Sequence, residues 1–209
     1  AGPAPGVLPR RARPSPPPTA PPMTRGTLHL VCGPSGVGKD TLIDAARAAR
    51  PDLLVPRRTV TRPAGAAGEA HDPAAPAEFD AAEARGAFML AWRAHGLAYG
   101  VPAAAVEALA RGRHVLVNVS RAVVGEARAR FAPVRVLLVT APPEALARRL
   151  AARGREPEAE IARRLSRAAL SGPAGPDVTE IVNDDLAAAR AAFLAALAPP
   201  LPTRGAPAA

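Results

Sequence analysis

Of the 27 lysines and arginines in this chain only one is a lysine, Lys39, and it sits in the run Gly33-Pro34-Ser35-Gly36-Val37-Gly38-Lys39-Asp40-Thr41. Glycines at this spacing let the backbone turn successive N–H groups inward, where they cradle a polyphosphate. A helix opening at the same place adds the positive end of its dipole. Lysine is a compact point charge, suited to reach the β- and γ-phosphates of a nucleotide and to neutralise charge as it moves during phosphoryl transfer. Gly33, Pro34, Ser35, Gly36, Val37, Gly38 and Lys39 are therefore expected to bind ATP. Asp40 stands where most such loops place the Ser or Thr that ligates Mg²⁺. A carboxylate is tolerable beside a triphosphate when a divalent cation lies between them, so Asp40 is the expected Mg²⁺ ligand, directly or through water. Thr41 is the expected contact of the α-phosphate.

The elements around the loop have the order this chemistry needs. Leu28-His29-Leu30-Val31-Cys32 is an apolar strand, and Thr41 to Arg50 reads as a helix that stops before Pro51. Strand, glycine-rich turn and helix together are the context that separates a phosphate-binding loop from a chance match. Leu53–Val55 is predicted as a short strand and Val101–Ala110 as a helix. Val115–Ser120 follows as a buried strand ending in polar residues, then a helix from Ser120 to Arg130 and a strand over Val134–Val139. Alternating strands and helices predict a parallel sheet covered on both faces, with its ligand crevice at the carboxyl ends of the strands. Residues 57–100 look irregular and polar, the place for an acceptor-binding region. Helices over Pro142–Arg153 and about Glu158–Leu170 flank a glycine turn bordered by Arg149, Arg153, Arg155 and Arg164. So many fixed cations around a hinge suit a lid that closes over a triphosphate. A last strand at Glu180–Val182 and a helix over Asp184–Ala198 complete the pattern.

At 209 residues the chain suits one α/β domain. The net charge of +9 comes with arginines spread through helices, not clustered with aromatics, so no nucleic-acid partner is expected. Cys32 is the only cysteine and reads as a small buried hydrophobe. No apolar run reaches the roughly 20 residues that span a bilayer, and the N-terminus lacks the apolar core of a signal peptide, so a cytoplasmic protein is expected. Residues 1–22 hold nine prolines and are expected to be disordered, with Met23 as the natural start. The kinase domain is expected over 23–198 and a frayed tail over 199–209.

Along about residues 25–198 the chain resembles the guanylate kinase-like group of P-loop kinases. The matching residues are the loop at 33–39, Thr61-Arg62, Glu78-Phe79, Phe88, Tyr99-Gly100, Arg149-Leu150, Arg153-Gly154, Arg164-Leu165 and Val182-Asn183-Asp184. The resemblance implies an α/β P-loop kinase fold, a parallel sheet flanked by helices, with an acceptor-binding region at about 57–100 and a lid at about 142–170. It places Asn183 near the adenine and makes Lys39, Arg149, Arg153 and Arg164 the catalytic cations. The departures concern the acceptor. The glutamate that reads guanine in that group is here Leu90, its Asp-x-Asp is Asn118-Val119-Ser120, a tyrosine is replaced by His71, and the second arginine after Thr-Arg is absent.

An acceptor rich in phosphate and lacking a base fits the ribose 1,5-bisphosphate phosphokinase family of bacterial phosphonate breakdown. The chain is similar to it in Gly-Lys-Asp-Thr at 38–41, Glu-x-His at 69–71, His-Gly-Leu-x-Tyr-Gly at 95–100 and Val-Asn-x-Ser-Arg at 117–121. The resemblance implies transfer of the γ-phosphoryl of ATP to ribose 1,5-bisphosphate, giving 5-phosphoribosyl 1-diphosphate. Arg58, Arg62, His71, His95, Tyr99, Asn118 and Ser120 become the acceptor-binding residues. The expected partners are ATP with Mg²⁺ and a small sugar phosphate, with no nucleic acid and no membrane, and a homodimeric state stays open. Two alternatives remain at this point: a guanylate or other nucleoside monophosphate kinase, and a non-catalytic guanylate kinase-like interaction module.

Overall fold

The computed structural model describes residues 23–63, 70–152 and 172–199. The strand before the phosphate loop is β1 (Met23–Cys32), and the loop runs directly into α1 (Lys39–Ala49). Then come β2 (Arg58–Val60), β3 (His71–Pro73), α2 (Pro76–Ala84), β4 (Phe88–Ala94), β5 (Leu97–Pro102) and α3 (Ala104–Ala110). After these follow β6 (Val115–Asn118), a 3₁₀ turn (Arg121–Val123), α4 (Val124–Arg130) and β7 (Ala132–Thr140). The described chain closes with α5 (Pro143–Ala152), β8 (Val178–Val182) and α6 (Leu186–Ala196).

Strand β1 lies inside a parallel sheet of order β6-β1-β7-β8. Parallel strands are joined by crossovers that put helices on the sheet faces, so both faces are buried and the strands read as continuous apolar runs. Alternate residues of β1 divide the core in two. Leu28, Leu30 and Cys32 face one cluster, with Val117 of β6, Val136 of β7, Leu109 of α3 and Val124 of α4. Val31 faces the other, with Leu42 and Ile43 of α1 and Phe193 of α6. The phosphate loop thus leaves the carboxyl end of a strand clamped on both sides.

Residues 57–100 were expected to be irregular, but most of their described residues are regular. They form a second sheet of order β3-β2-β5-β4, in which β5 runs antiparallel to both β2 and β4. Three-residue strands such as β2 and β3 carry too few alternations for a period to show. Val101 and Pro102 belong to β5, paired with Leu90 and Phe88, so the helix expected from Val101 begins only at Ala104. The strand expected over Leu53–Val55 reduces to one bridge, Leu54 to Val115. The expected helix over Glu158–Leu170 lies outside the described residues, as do the extension at 1–22 and the tail from 200 onward. Among the described residues no helix is long and apolar enough to cross a membrane.

Several residues that carried the resemblance are packing residues. Phe79 of α2 stacks on Phe88 of β4 with ring centroids 4.7 Å apart, and a Cβ on Gly100 would stand 2.5 Å from the Phe88 ring. Glu78 accepts a hydrogen bond from the Ala75 backbone N–H at 2.9 Å, capping α2.

Two buried histidines strap Ala198 and Pro199, after α6, to the main sheet. His29 Nε2 accepts the Ala198 N–H at 2.9 Å, while His114 Nδ1 accepts the Thr27 N–H at 2.9 Å and its Nε2 donates to the Pro199 carbonyl at 2.8 Å. Burial, helped by the neighbouring His114, Arg135 and Arg50, pushes the His29 pKa down to about 4. The unfolded chain then binds more protons than the folded one between about 4 and its ordinary 6.5. Stability is complete above that window and falls as pH drops through it, by roughly 3 kcal/mol. Urea unfolding is expected to show this loss between about pH 7 and pH 4.5, and His29→Gln, which keeps an acceptor but cannot titrate, is expected to flatten it. An unchanged slope in His29→Gln contradicts the assignment.

Candidate active site

The phosphate loop takes the shape its glycines predict. Gly33, Gly36 and Gly38 have φ of 146°, 88° and 95°. Gly38 is the residue from which α1 starts, so the first N–H groups of that helix open into the loop. Lys39 Nζ donates to the Gly33 and Pro34 carbonyls at 2.9 and 2.8 Å, lying across the loop it serves. Phosphate oxygens are acceptors of the same kind, so the ammonium can exchange one set for the other without entering an apolar medium. Asp40 and Thr41 are exposed at the start of α1.

The loop is braced from β8. Asn183, 2 % exposed, donates its Nδ2 hydrogen to the Val37 carbonyl at 2.7 Å. A Cβ on Gly38 would lie 2.4 Å from that nitrogen, so glycine is required there for space as well as for φ. The resemblance placed Asn183 near the adenine, and the structure puts its side chain under the loop. Arg149 of α5 donates to the carbonyls of Asn183 and Asp184 at 2.8 and 3.2 Å, which fastens α5 to this brace. Arg153 and Arg164 lie outside the described residues.

Asn118 ends β6 beside Val31 of β1, and its Nδ2 donates to Asp40 Oδ1 at 3.2 Å. Among the described residues no group of three or more His, Cys, Asp or Glu could form a metal cage. Mg²⁺ delivered with ATP takes most of its ligands from phosphate and water and needs only one or two carboxylates. Asp40 fits that role. Cys32, at the end of β1, is pushed up to about 11 by burial, so it stays a neutral thiol and offers no nucleophile.

The second sheet holds Arg58, His71 and Tyr99, residues expected to bind the acceptor. The Trp92 and Tyr99 rings stack 5.4 Å apart at 7°, and the Arg58 guanidinium sits over both, 5.4 Å from the Tyr99 centroid and 5.8 Å from that of Trp92. Arg58 is buried and donates to the Asn118 main-chain carbonyl at 3.0 Å. Of the two arginines expected to face acceptor phosphates, Arg58 is thus turned inward as a strut. Arg62 is half-buried and lines a cleft of about 460 Å³ with Thr61, Pro63, Ala75 and Glu78. Thr61 fixes that edge, its Oγ1 accepting the Ala98 N–H at 2.8 Å. His71 is buried beside it, with Nε2 3.4 Å from the Arg62 carbonyl.

His95 and Ser120 have structural reasons for their identities. His95 (φ 55°) and Gly96 (φ 72°) form the two-residue turn between β4 and β5, at an exposed tip where histidine is one of the residues that tolerate a left-handed backbone. Ser120 Oγ accepts the Ala122 N–H at 3.3 Å and caps the 3₁₀ turn. Leu90, in the place of the guanine-reading glutamate, is 1 % exposed inside the core cluster. Nothing at that position can hydrogen-bond a base.

An AAA domain family model matches residues 28–170. The chain is 50% identical over 175 residues to a ribose 1,5-bisphosphate phosphokinase of Acidiphilium cryptum, covering 82% of this chain and 92% of that one. It belongs to the ribose 1,5-bisphosphate phosphokinase family. It is also 47% identical over 174 residues to a bifunctional ribose 1,5-bisphosphokinase-thymidine phosphorylase of Cupriavidus necator, covering 82% of this chain but only 29% of that longer protein. Among solved structures, guanylate kinase from Anaplasma phagocytophilum superposes with a TM-score of 0.58 at 18% identity, covering 83% of this chain and 84% of that one. The fold of this family member is therefore the guanylate kinase-like P-loop fold, as the sequence implied.

Proposed function

We propose that this chain transfers the γ-phosphoryl group of ATP to the 1-phosphate of ribose 1,5-bisphosphate, giving 5-phosphoribosyl 1-diphosphate and ADP, within cytoplasmic phosphonate breakdown. The observation that carries this reading is the 50% identity along nearly the whole Acidiphilium relative, with the phosphate loop and Lys39 in place. An oxygen of the 1-phosphate attacks the γ-phosphorus, and the bond from that phosphorus to the β-bridging oxygen breaks, its electrons leaving with ADP. The attacking phosphate is already ionised near neutral pH, so no general base is required. Catalysis then rests on alignment and charge neutralisation.

Lys39 and the loop N–H groups hold the β- and γ-phosphates. Bound Mg²⁺ supplies charge neutralisation at the same phosphates, and Asp40 is its protein ligand. Arg62, which lines the cleft with Thr61 and Glu78, takes an acceptor phosphate. Leu90, buried where a guanine-reading glutamate would stand, offers no side-chain group to pair with a base, which favours an acceptor held by its phosphates. In a side-by-side coupled assay of ADP release, kcat/KM for ribose 1,5-bisphosphate is expected to exceed that for GMP by at least about a hundredfold. GMP turnover within tenfold of it contradicts the reading.

A further inference from the structure

We propose that Asn118 is a positioning residue that holds the Asp40 carboxylate for the metal, and that ties this geometry to the acceptor sheet. The inference rests on the reading of Asp40 as the Mg²⁺ ligand. Asp40 is exposed at the first turn of α1, and among the described residues the Asn118 amide is the one side chain that hydrogen-bonds it. An exposed aspartate samples several rotamers, whereas Mg²⁺ demands near-octahedral geometry with ligands in fixed directions. The Asn118 amide donates to one oxygen of the carboxylate and so selects an orientation while leaving the second oxygen for the metal.

The residue type at 118 matters. A carboxylate there would meet Asp40 as a like charge at about 3 Å, whereas an amide offers a donor and no charge. Asn118 is itself fixed from two directions. The adjacent Val119 N–H donates to the Val31 carbonyl at 2.8 Å, and the Asn118 carbonyl accepts from Arg58 at 3.0 Å. Arg58 in turn is clamped over Tyr99 and Trp92. One residue therefore uses its main chain to touch the acceptor sheet and its side chain to touch the nucleotide loop. The sequence reading placed Asn118 among the acceptor contacts, and this assignment moves its side chain to the Asp40 carboxylate.

The test measures binding, not turnover. The Mg²⁺ concentration that half-saturates binding of a non-hydrolysable ATP analogue is determined by calorimetry for the wild type, Asn118→Ala, Asn118→Leu, Asp40→Ala and the Asp40→Ala/Asn118→Ala pair. Both Asn118 variants keep the main-chain carbonyl that Arg58 uses, so either one that folds serves. Removing an outer partner of a metal ligand costs about tenfold in metal affinity, so the half-saturating Mg²⁺ is expected to rise about tenfold in each. Asn118→Ala is expected to add nothing on top of Asp40→Ala, because its effect passes through that carboxylate. A shift below twofold in the Asn118 variants while Asp40→Ala moves the curve overturns the proposal. So does an Asn118→Ala effect that persists in full without Asp40. If Asp40→Ala itself leaves the curve in place, the metal assignment fails and the inference falls with it.

Discussion

Lys39→Ala is expected to lower kcat by about a thousandfold or more while leaving the fold intact, a loss of about 4 kcal/mol in transition-state stabilisation. During transfer, negative charge moves from the γ-phosphoryl towards the β-bridging oxygen, and a cation held there stabilises the transition state more than the ground state. No other lysine exists in the chain to substitute. Lys39→Arg is expected to rescue little, because a planar fork cannot lie across the Gly33 and Pro34 carbonyls as a tetrahedral ammonium does. The stability cost is expected to be only about 1 kcal/mol, that of hydrogen bonds exchanged with water. Steady-state kinetics beside circular dichroism checks both halves, and a variant within tenfold of wild-type kcat would remove Lys39 from the chemistry.

Gly33→Ala is expected to destabilise the protein strongly. At φ 146° an L-residue is strained, and the new Cβ would stand 2.1 Å from the Val139 carbonyl oxygen and 3.1 Å from its carbon, both backbone atoms of the neighbouring strand β7. Backbone cannot swing aside as a side-chain tip can, so the strand pairing or the loop must shift. A loss of at least about 3 kcal/mol is expected, combining conformational strain with overpacking. Nucleotide affinity is expected to fall with it. Gly96→Ala provides the contrast: φ is 72° there too, but nothing lies within 4 Å of the added carbon, so only about 1 kcal/mol of conformational strain is expected. Chemical denaturation of both variants measures the difference. Equal losses would mean that the contact with β7 does not matter.

The main sheet was legible because its strands are buried on both faces and read as unbroken apolar runs, such as Leu28–Cys32 and Val134–Val139. The phosphate loop was legible because three glycines and a lysine at fixed spacing have few other uses. The second sheet was not, since β2 and β3 have three residues each and β5 ends in Val101-Pro102, which imitates a helix start. At the site, residue types pointed to loops but not to side-chain directions. Arg58 and Arg62 looked equivalent, yet one is buried over Trp92 and Tyr99 while the other lines the cleft. Asn118 and Asn183 each looked like ligand contacts, and each bonds the loop region itself, at Asp40 and at Val37. These are long-range contacts, from strands that meet the loop only when the sheet forms, and no local pattern announces them. The strap of His29 and His114 was missed for the same reason, since nothing in the sequence pairs two histidines 85 positions apart.

The loss of a base-reading group at Leu90 and the retention of the phosphate machinery together make a phosphorylated sugar the expected acceptor, and the destination of the transferred phosphoryl is the most direct test. Phosphorus NMR of the product formed from Mg-ATP and ribose 1,5-bisphosphate is expected to show two mutually coupled diphosphate signals at carbon 1 beside an unchanged 5-phosphate signal, with ADP accumulating in equal amount. ADP and inorganic phosphate with no coupled diphosphate pair at carbon 1 of the ribose, or a phosphoryl group added at the 5-phosphate, would contradict the account.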